Sequence, residues 1–278
     1  MSTDKVFKSE ESKNAIRTRY NQILSAFPFG QRYIDTPFAK TFLLEFGSPE
    51  NPPLFLLHGS CSNSAFWFSE IMALSAQFHV FAADIPGEAG NTEENRLDLR
   101  SDDYADWLKA VFDALSVKQA VVMGNSLGSW MALKFAVKYP KHVSKLIIIA
   151  PSGLSHQNDA ILEKANKAAR QNETLTMDNS VSQGVELPQE VIEFINLIAS
   201  GYYPIAEQLP AFSDEQLKQL TMPVLFIAGE HDIMVDAPAA AKRLGNLLPH
   251  AEIHLLENIG HMVLNSLEYI IPFLALSK

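Results

Sequence analysis

One pentapeptide, Gly124-Asn125-Ser126-Leu127-Gly128, carries residue types in an order that could do chemistry. A continuous apolar run, 120–123, precedes it and a helical pattern, 127–139, follows it. A serine on such a strand-to-helix bend stands proud of the sheet in a strained backbone conformation. The residues two before and two after it must be small, because side chains there would collide. The start of the following helix directs backbone N–H groups at developing negative charge. The pattern predicts a nucleophilic hydroxyl at Ser126.

A serine hydroxyl attacks poorly until a base takes its proton. Eight histidines are available. His58 ends an apolar run before Gly59 and reads as a loop-positioning residue. His79, His142 and His156 sit in polar, surface-like surroundings, and His250 and His254 lie at a late strand, 252–256. His231 adjoins Asp232 and is directed away if Asp232 faces inward. His261 follows the loop Glu257-Asn258-Ile259-Gly260 after the last predicted strand and is expected to open the C-terminal helix. This puts it at the carboxyl end of the sheet and makes it the predicted base.

The third member is a carboxylate that holds the imidazole tautomer and stabilises the imidazolium. Asp232 lies just beyond the apolar run 224–229, and Asp236 lies deeper in the same loop. A residue directly past a strand end is better fixed, which favours Asp232. Ser126, Asp232, His261 is one of the known chain orders for such a triad. Two backbone N–H groups must receive the oxyanion. Leu127 supplies one, and the loop after His58-Gly59 supplies the other, from Ser60 or Cys61. Cys61 itself lacks the strained turn that a nucleophile of this kind needs.

The elements that must position these residues are legible too. Residues 54–57, 80–83, 120–123, 146–149 and 224–227 are apolar without polar alternation. Such runs belong to strands buried on both faces, as in a parallel sheet. Helical segments such as 104–115 alternate with them, which implies an α/β sheet with right-handed crossovers. Ligands of such sheets bind at the carboxyl ends of the strands, where this sequence places its Gly, His, Ser and Asp residues. Ahead of the sheet, 9–26 has amphipathic helical spacing, and 32–35 and 41–46 read as short strands.

From Ser152 to about Met222 no apolar strand occurs, and such a length is too long for a structureless loop. Segments 159–170 and 188–200 look helical, and Ser213-Asp214-Glu215-Gln216 resembles a capping box. The expected organisation is a core of residues 1–151 and 222–278, with an N-terminal helical extension over 1–30. A helical subdomain, 152–221, is inserted between two strands of the sheet.

Lys and Arg number 22 against 32 Asp and Glu, a formal net charge of −10, which argues against general nucleic-acid binding. Cys61 is the single cysteine, so no internal disulfide forms, in keeping with a reducing compartment. The start of the chain is polar rather than signal-like, and no apolar run approaches the roughly 20 residues of a membrane span. The expectation is a cytoplasmic protein without a membrane span. No phosphate loop, dinucleotide fingerprint or zinc motif occurs, so neither a cofactor nor a metal is expected.

Taken together, Leu57-His58-Gly59-Ser60, Asp84-Ile85-Pro86-Gly87, the Ser126 turn, Gly229-Glu230-His231-Asp232 and Gly260-His261 resemble the α/β-hydrolase superfamily, in its capped, serine-nucleophile, carboxylesterase-like form. The likeness covers residues 40–151 and 222–277. It implies a mostly parallel sheet of about eight strands with helices on both faces and a helical cap over the site. It also implies a serine hydrolase acting on a small ester-like substrate. The same triad serves relatives that cleave C–C bonds, lactones or thioesters or run perhydrolysis, and some members are ligand receptors. Cap helices of this sort can form homodimers. Candidates for the substrate pocket are Cys61, Phe66, Trp67, Trp130, Phe194, Tyr202, Tyr203 and Met262, all residue types that also serve core packing. One departure stands out. Relatives often continue the Asp-x-Pro-Gly turn as Gly-His-Gly-x-Ser, but here Glu88-Ala89-Gly90-Asn91-Thr92-Glu93-Glu94 follows Gly87. That acidic stretch reads as a solvated loop in preference to a rim that turns anionic substrates away.

Overall fold

The computed structural model describes residues 5–161, 163, 181–205 and 207–276. Eight strands form one sheet: β1 Gly30–Asp35, β2 Lys40–Phe46, β3 Pro53–Leu57, β4 His79–Ala83, β5 Ala120–Asn125, β6 Val143–Ile149, β7 Val224–Gly229 and β8 Glu252–Leu256. Their spatial order is β1-β2-β4-β3-β5-β6-β7-β8. β2 runs antiparallel to both its neighbours, and all pairings from β4 to β8 are parallel. From β3 the chain winds first to β4 on one side and then to β5 on the other. The carboxyl ends of β3 and β5 therefore flank the switch point where such sheets bind ligands. Leu57 pairs with Gly124, so the loops after these strands leave side by side.

Helices cover both faces: α1 Glu10–Ser25, α2 Phe68–Leu74, α3 Asp103–Ala114, α4 Leu127–Lys138, α5 Gln189–Gly201, α6 Asp214–Leu217, α7 Ala237–Leu247 and α8 Leu267–Ala275. Alternate strand residues feed two cores. Leu54, Leu56, Ile147 and Leu225 pack with Ile16, Tyr20, Ile71 and Phe273 of α1, α2 and α8. Phe55, Leu57, Ile148 and Phe226 pack with Trp107, Phe112, Leu133 and Ala240 of α3, α4 and α7. Burial on both faces is why the central strands lack polar alternation. Lys145 in β6 is an exception with a clear partner. Its ammonium donates to the carbonyls of Phe273, Leu274 and Leu276 at 2.9, 3.0 and 2.8 Å, closing the C-terminus of α8.

Between β6 and β7 the described residues include α5 and α6. Ser213 and Gln216 form the expected capping box of α6. The helix expected over 159–170 lies largely outside the described residues. α1 packs on α5 closely enough that a Cβ on Gly201 would stand 2.8 Å from Ser12 Cβ. The extension also touches the core loops. Arg17 donates to the carbonyls of Gly90 and Thr92 at 3.1 Å each, and the Tyr20 hydroxyl donates to Asp84 at 3.0 Å. α1 thus braces both α5 and the loop after β4.

Candidate active site

Ser126 occupies the single step between β5 and α4, with φ 51° and ψ −112°. For a non-glycine residue this is a strained conformation, of the kind that persists where surroundings over-determine it. Here they do so through several hydrogen bonds. Ser126 N–H donates to Ile149 O at 2.8 Å, and Ser129 Oγ lies 2.7 Å from Gly124 O while accepting Ile149 N–H at 2.9 Å. The two glycines of the turn leave no room for a side chain. A Cβ on Gly124 would stand 2.2 Å from Gly128 O, and one on Gly128 only 2.0 Å from Leu57 O.

His261 Nε2 lies 2.9 Å from Ser126 Oγ, and His261 Nδ1 lies 2.7 Å from Asp232 Oδ2. The Asp232 side chain is fully buried. Its other oxygen accepts the N–H groups of Met234 and Val235 at 2.7 and 3.2 Å. An ionised carboxylate only accepts, so the proton on His261 sits on Nδ1 and the Nε2 lone pair faces the serine. Gly229 lets the two loops meet, since a Cβ there would fall 2.2 Å from Ile259 O. The loop is further tied by His231 N–H to Ile259 O, at 2.9 Å. Asp236 is engaged elsewhere, where its Oδ1 accepts Ala239 N–H at 2.9 Å and caps α7.

The expected place of His261 in the chain is corrected. It does not open the C-terminal helix, which begins at Leu267. Asn265 has φ 57°, a left-handed residue that the helix cannot include. His261 therefore sits in an irregular segment. There its neighbours Gly260 and Met262 donate to Gln183 O and Val181 O at 2.9 and 3.0 Å.

The other histidines are occupied away from the serine. Buried His58 lies with Nδ1 2.8 Å from Gly59 O and accepts Ile85 N–H on Nε2 at 3.0 Å. Burial lowers its pKa, in keeping with a neutral ring that ties the β3 loop to the β4 loop. His231 turns toward Gln183 and Glu230, away from the serine. His250 and His254 have separate partners, Met222 O and Glu252.

Beside Ser126 the loop after β3 passes close, with the Cβ position of Gly59 3.5 Å from Ser126 Cβ. The N–H of Cys61 donates to Glu88 Oε2 at 3.0 Å. The N–H groups of Ser60 and Leu127 make no hydrogen bond to another described residue. Burial and the neighbouring Glu88 push the Cys61 thiol up to about 12, so it stays protonated and inert at neutral pH.

The aromatic pocket candidates divide between the two cores. Trp130 is on the α4 side, where its Nε1 donates to Pro210 O at 2.8 Å. Trp67, Phe194 and Tyr202 are in the other core, and Phe194 stacks on Phe66 and Tyr20. Cys61 and Met262 are half-buried and adjoin Ser60 and His261 in the chain.

The acidic stretch is the solvated loop expected only in part: Glu93 is exposed and Glu94 half-buried, but Glu88 is not. Residues 84–90 are buried, and Glu88 is 1% exposed. Asp84 holds the segment in place by accepting Asn91 N–H at 2.7 Å and Ser64 N–H at 2.9 Å. Asn63 adds a bond to Ala89 O at 3.0 Å. Sequence context does not single Glu88 out, because a carboxylate amid glycines carries no mark of burial.

Burial pushes the Glu88 carboxyl from its ordinary 4.5 to about 7. Its contribution to stability is therefore fully present below pH 4.5 and is lost as pH rises through 7, in total about 3 kcal/mol. In urea unfolding, the stability of Glu88→Gln relative to wild type is expected to grow by roughly 1 kcal/mol between about pH 6 and 8. An unchanged difference would mean that Glu88 is not buried as an acid.

This geometry defines a class: a serine, histidine and aspartate in hydrogen-bonded sequence at the carboxyl end of a largely parallel α/β sheet. Residues 52–193 match the family described as alpha/beta hydrolase fold, and the chain belongs to that family. It is 30% identical to a protein named carboxylesterase YbfK from Bacillus subtilis (strain 168), over 95% of this chain and 93% of the relative. It is 29% identical to the uncharacterized carboxylesterase nap of the same organism, over 91% and 89% of the two chains. The crystal structure of carboxylesterase CesB (YbfK) from Bacillus subtilis superposes with a TM-score of 0.78, covering 95% of this chain and 99% of that one. The expected eight-stranded, mostly parallel sheet is borne out.

Proposed function

We propose that this protein is a carboxylic ester hydrolase working through an acyl-enzyme on Ser126. The observation that carries the reading is the continuous chain from Ser126 Oγ to His261 to Asp232, at 2.9 and 2.7 Å. As Ser126 Oγ attacks the ester carbonyl, His261 Nε2 takes its proton and Asp232 stabilises the resulting imidazolium. The N–H groups of Ser60 and Leu127 receive the oxyanion. Collapse breaks the C–O bond, and the leaving alcohol takes the proton from His261. Water, activated by the same imidazole, then attacks the acyl-enzyme and releases the acid. Ester and water become acid and alcohol without a further reactant. The names of the two Bacillus relatives support ester hydrolysis over C–C cleavage or a receptor role.

In this reading residues 152–221 act as the cap. Its support is the pair of carbonyls, Val181 O and Gln183 O, that hold the backbone on either side of His261. Cys61 and Met262 contact the substrate, and buried Trp67, Trp130, Phe194 and Tyr202 back the wall. Two measurements test the reading. p-Nitrophenyl acetate should be hydrolysed with a burst of p-nitrophenol, since the acyl-enzyme forms before water clears it. A fluorophosphonate should label one residue per chain, mapping to Ser126 by peptide mass spectrometry. A label on another serine, or turnover without any label, would overturn it.

A further inference from the structure

We infer that Glu88 is a positioning residue for the oxyanion loop: its carboxyl holds the Cys61 N–H and thereby fixes the peptide that presents the Ser60 N–H. The inference rests on the esterase reading above and adds a residue that the triad does not include. Glu88 Oε2 accepts Cys61 N–H at 3.0 Å, and Oε1 lies 3.5 Å from Ser60 Oγ. Both contacts fall on the two residues after Gly59, which itself packs on Ser126. Cys61 has φ 56°, a conformation that a non-glycine residue holds only when something restrains it.

The restraint is rigid. Glu88 N–H donates to Ile85 O at 3.1 Å, and the segment on either side is anchored by Asp84 and Asn63. Without an acceptor, the Cys61 N–H would be an unsatisfied donor beside the site. The cheapest remedy is to turn the peptide, which also turns the Ser60 donor. Committing Cys61 N–H to Glu88 has a second effect: it leaves Ser60 N–H as the donor from this loop. The charged and titratable groups that face Glu88 are Arg96, Tyr202, Tyr104 and Cys61. Arg96 closes the cluster, packing its guanidinium over the Tyr202 ring at 5.6 Å and donating to Gly87 O. Its opposite charge keeps the carboxylate from adding a net negative field behind the developing oxyanion.

The test compares wild type with Glu88→Met, which keeps the size but not the acceptor, and Glu88→Gln, whose amide oxygen can accept the same N–H. kcat and KM for p-nitrophenyl acetate are measured with the inhibition constant of an alkyl trifluoromethyl ketone, which forms a tetrahedral oxyanion on the serine. Glu88→Met should lower kcat by about 10–100-fold with KM within about threefold. Its ketone inhibition constant should rise by a similar factor. Glu88→Gln should restore kcat to within about threefold of wild type. The inference is overturned if Glu88→Met leaves kcat within about twofold, if it changes KM alone, or if Glu88→Gln loses more than about tenfold. The last arm decides even if the methionine variant does not fold. Ser126→Ala in the same assay separates the two readings. Turnover that survives it sinks the esterase assignment, whereas turnover that depends on Ser126 leaves the Glu88 result to stand by itself.

Discussion

Ser126→Ala should lower kcat on a p-nitrophenyl ester by about 10⁶-fold, and Asp232→Asn by about 10⁴-fold, with the fold intact in both. Alanine removes the only atom that can bond to the acyl group, so what remains is water attack assisted by the oxyanion donors. Asparagine is subtler. It keeps the shape of Asp232, and its carbonyl can still accept Met234 N–H, as Oδ1 does now at 2.7 Å. An amide placed toward His261 Nδ1, however, presents either a donor or a weak acceptor where a carboxylate now sits at 2.7 Å. The imidazole then favours the tautomer with its proton on Nε2, and Ser126 loses its base. Asp236→Asn is the matched control. Asparagine caps helices as well as aspartate does, so the bond to Ala239 N–H survives and kcat should stay within about twofold. Single-turnover kinetics on the three variants would check the order. A larger loss at Asp236 than at Asp232 would mean that the aspartate seen beside His261 is not the one that works with it.

The central sheet and the triad are readable from sequence for the same physical reason. Strands buried on both faces cannot alternate, so 54–57, 80–83, 120–123, 146–149 and 224–227 stand out as apolar runs, and each lies inside an observed strand. The residues that follow such runs are at the carboxyl edge, which narrows the search for a nucleophile and an acid to a few positions. Glu88 escapes because its burial depends on Cys61, 27 residues earlier, and on Tyr202, over a hundred residues later. No local pattern encodes those contacts. The start of α8 is misplaced by spacing alone because apolar residues run on through Met262 and Val263, while the left-handed turn at Asn265 leaves little trace in composition. Pocket aromatics pose a different difficulty. Trp67 and Trp130 have the same residue type and sit on opposite faces of the sheet, which spacing cannot separate.

Gly128→Ala is expected to destabilise the protein by at least about 3 kcal/mol and to cost any folded fraction about 100-fold or more in kcat. The added methyl would stand 2.0 Å from Leu57 O, 2.5 Å from Leu57 C and 2.6 Å from His58 O. These are backbone atoms of Leu57, the end of a central strand paired on both sides, and of the residue that follows it, so no rotamer change relieves the clash. The start of α4 must lift away from β3. That same movement carries Leu127 N–H and Ser126 Oγ out of line with His261, so stability and catalysis fail together. Gly245→Ala in α7 shows what the clash adds. Its methyl would meet only Ile253 Cδ1, at 3.1 Å, the movable tip of a half-buried side chain. Alanine also favours a helix interior over glycine by about 1 kcal/mol. Gly245→Ala should therefore fall within about 1 kcal/mol of wild type by urea unfolding, with unchanged kcat. If Gly128→Ala were tolerated equally well, the tight seat of α4 on β3 could not be what holds Ser126 in its strained turn.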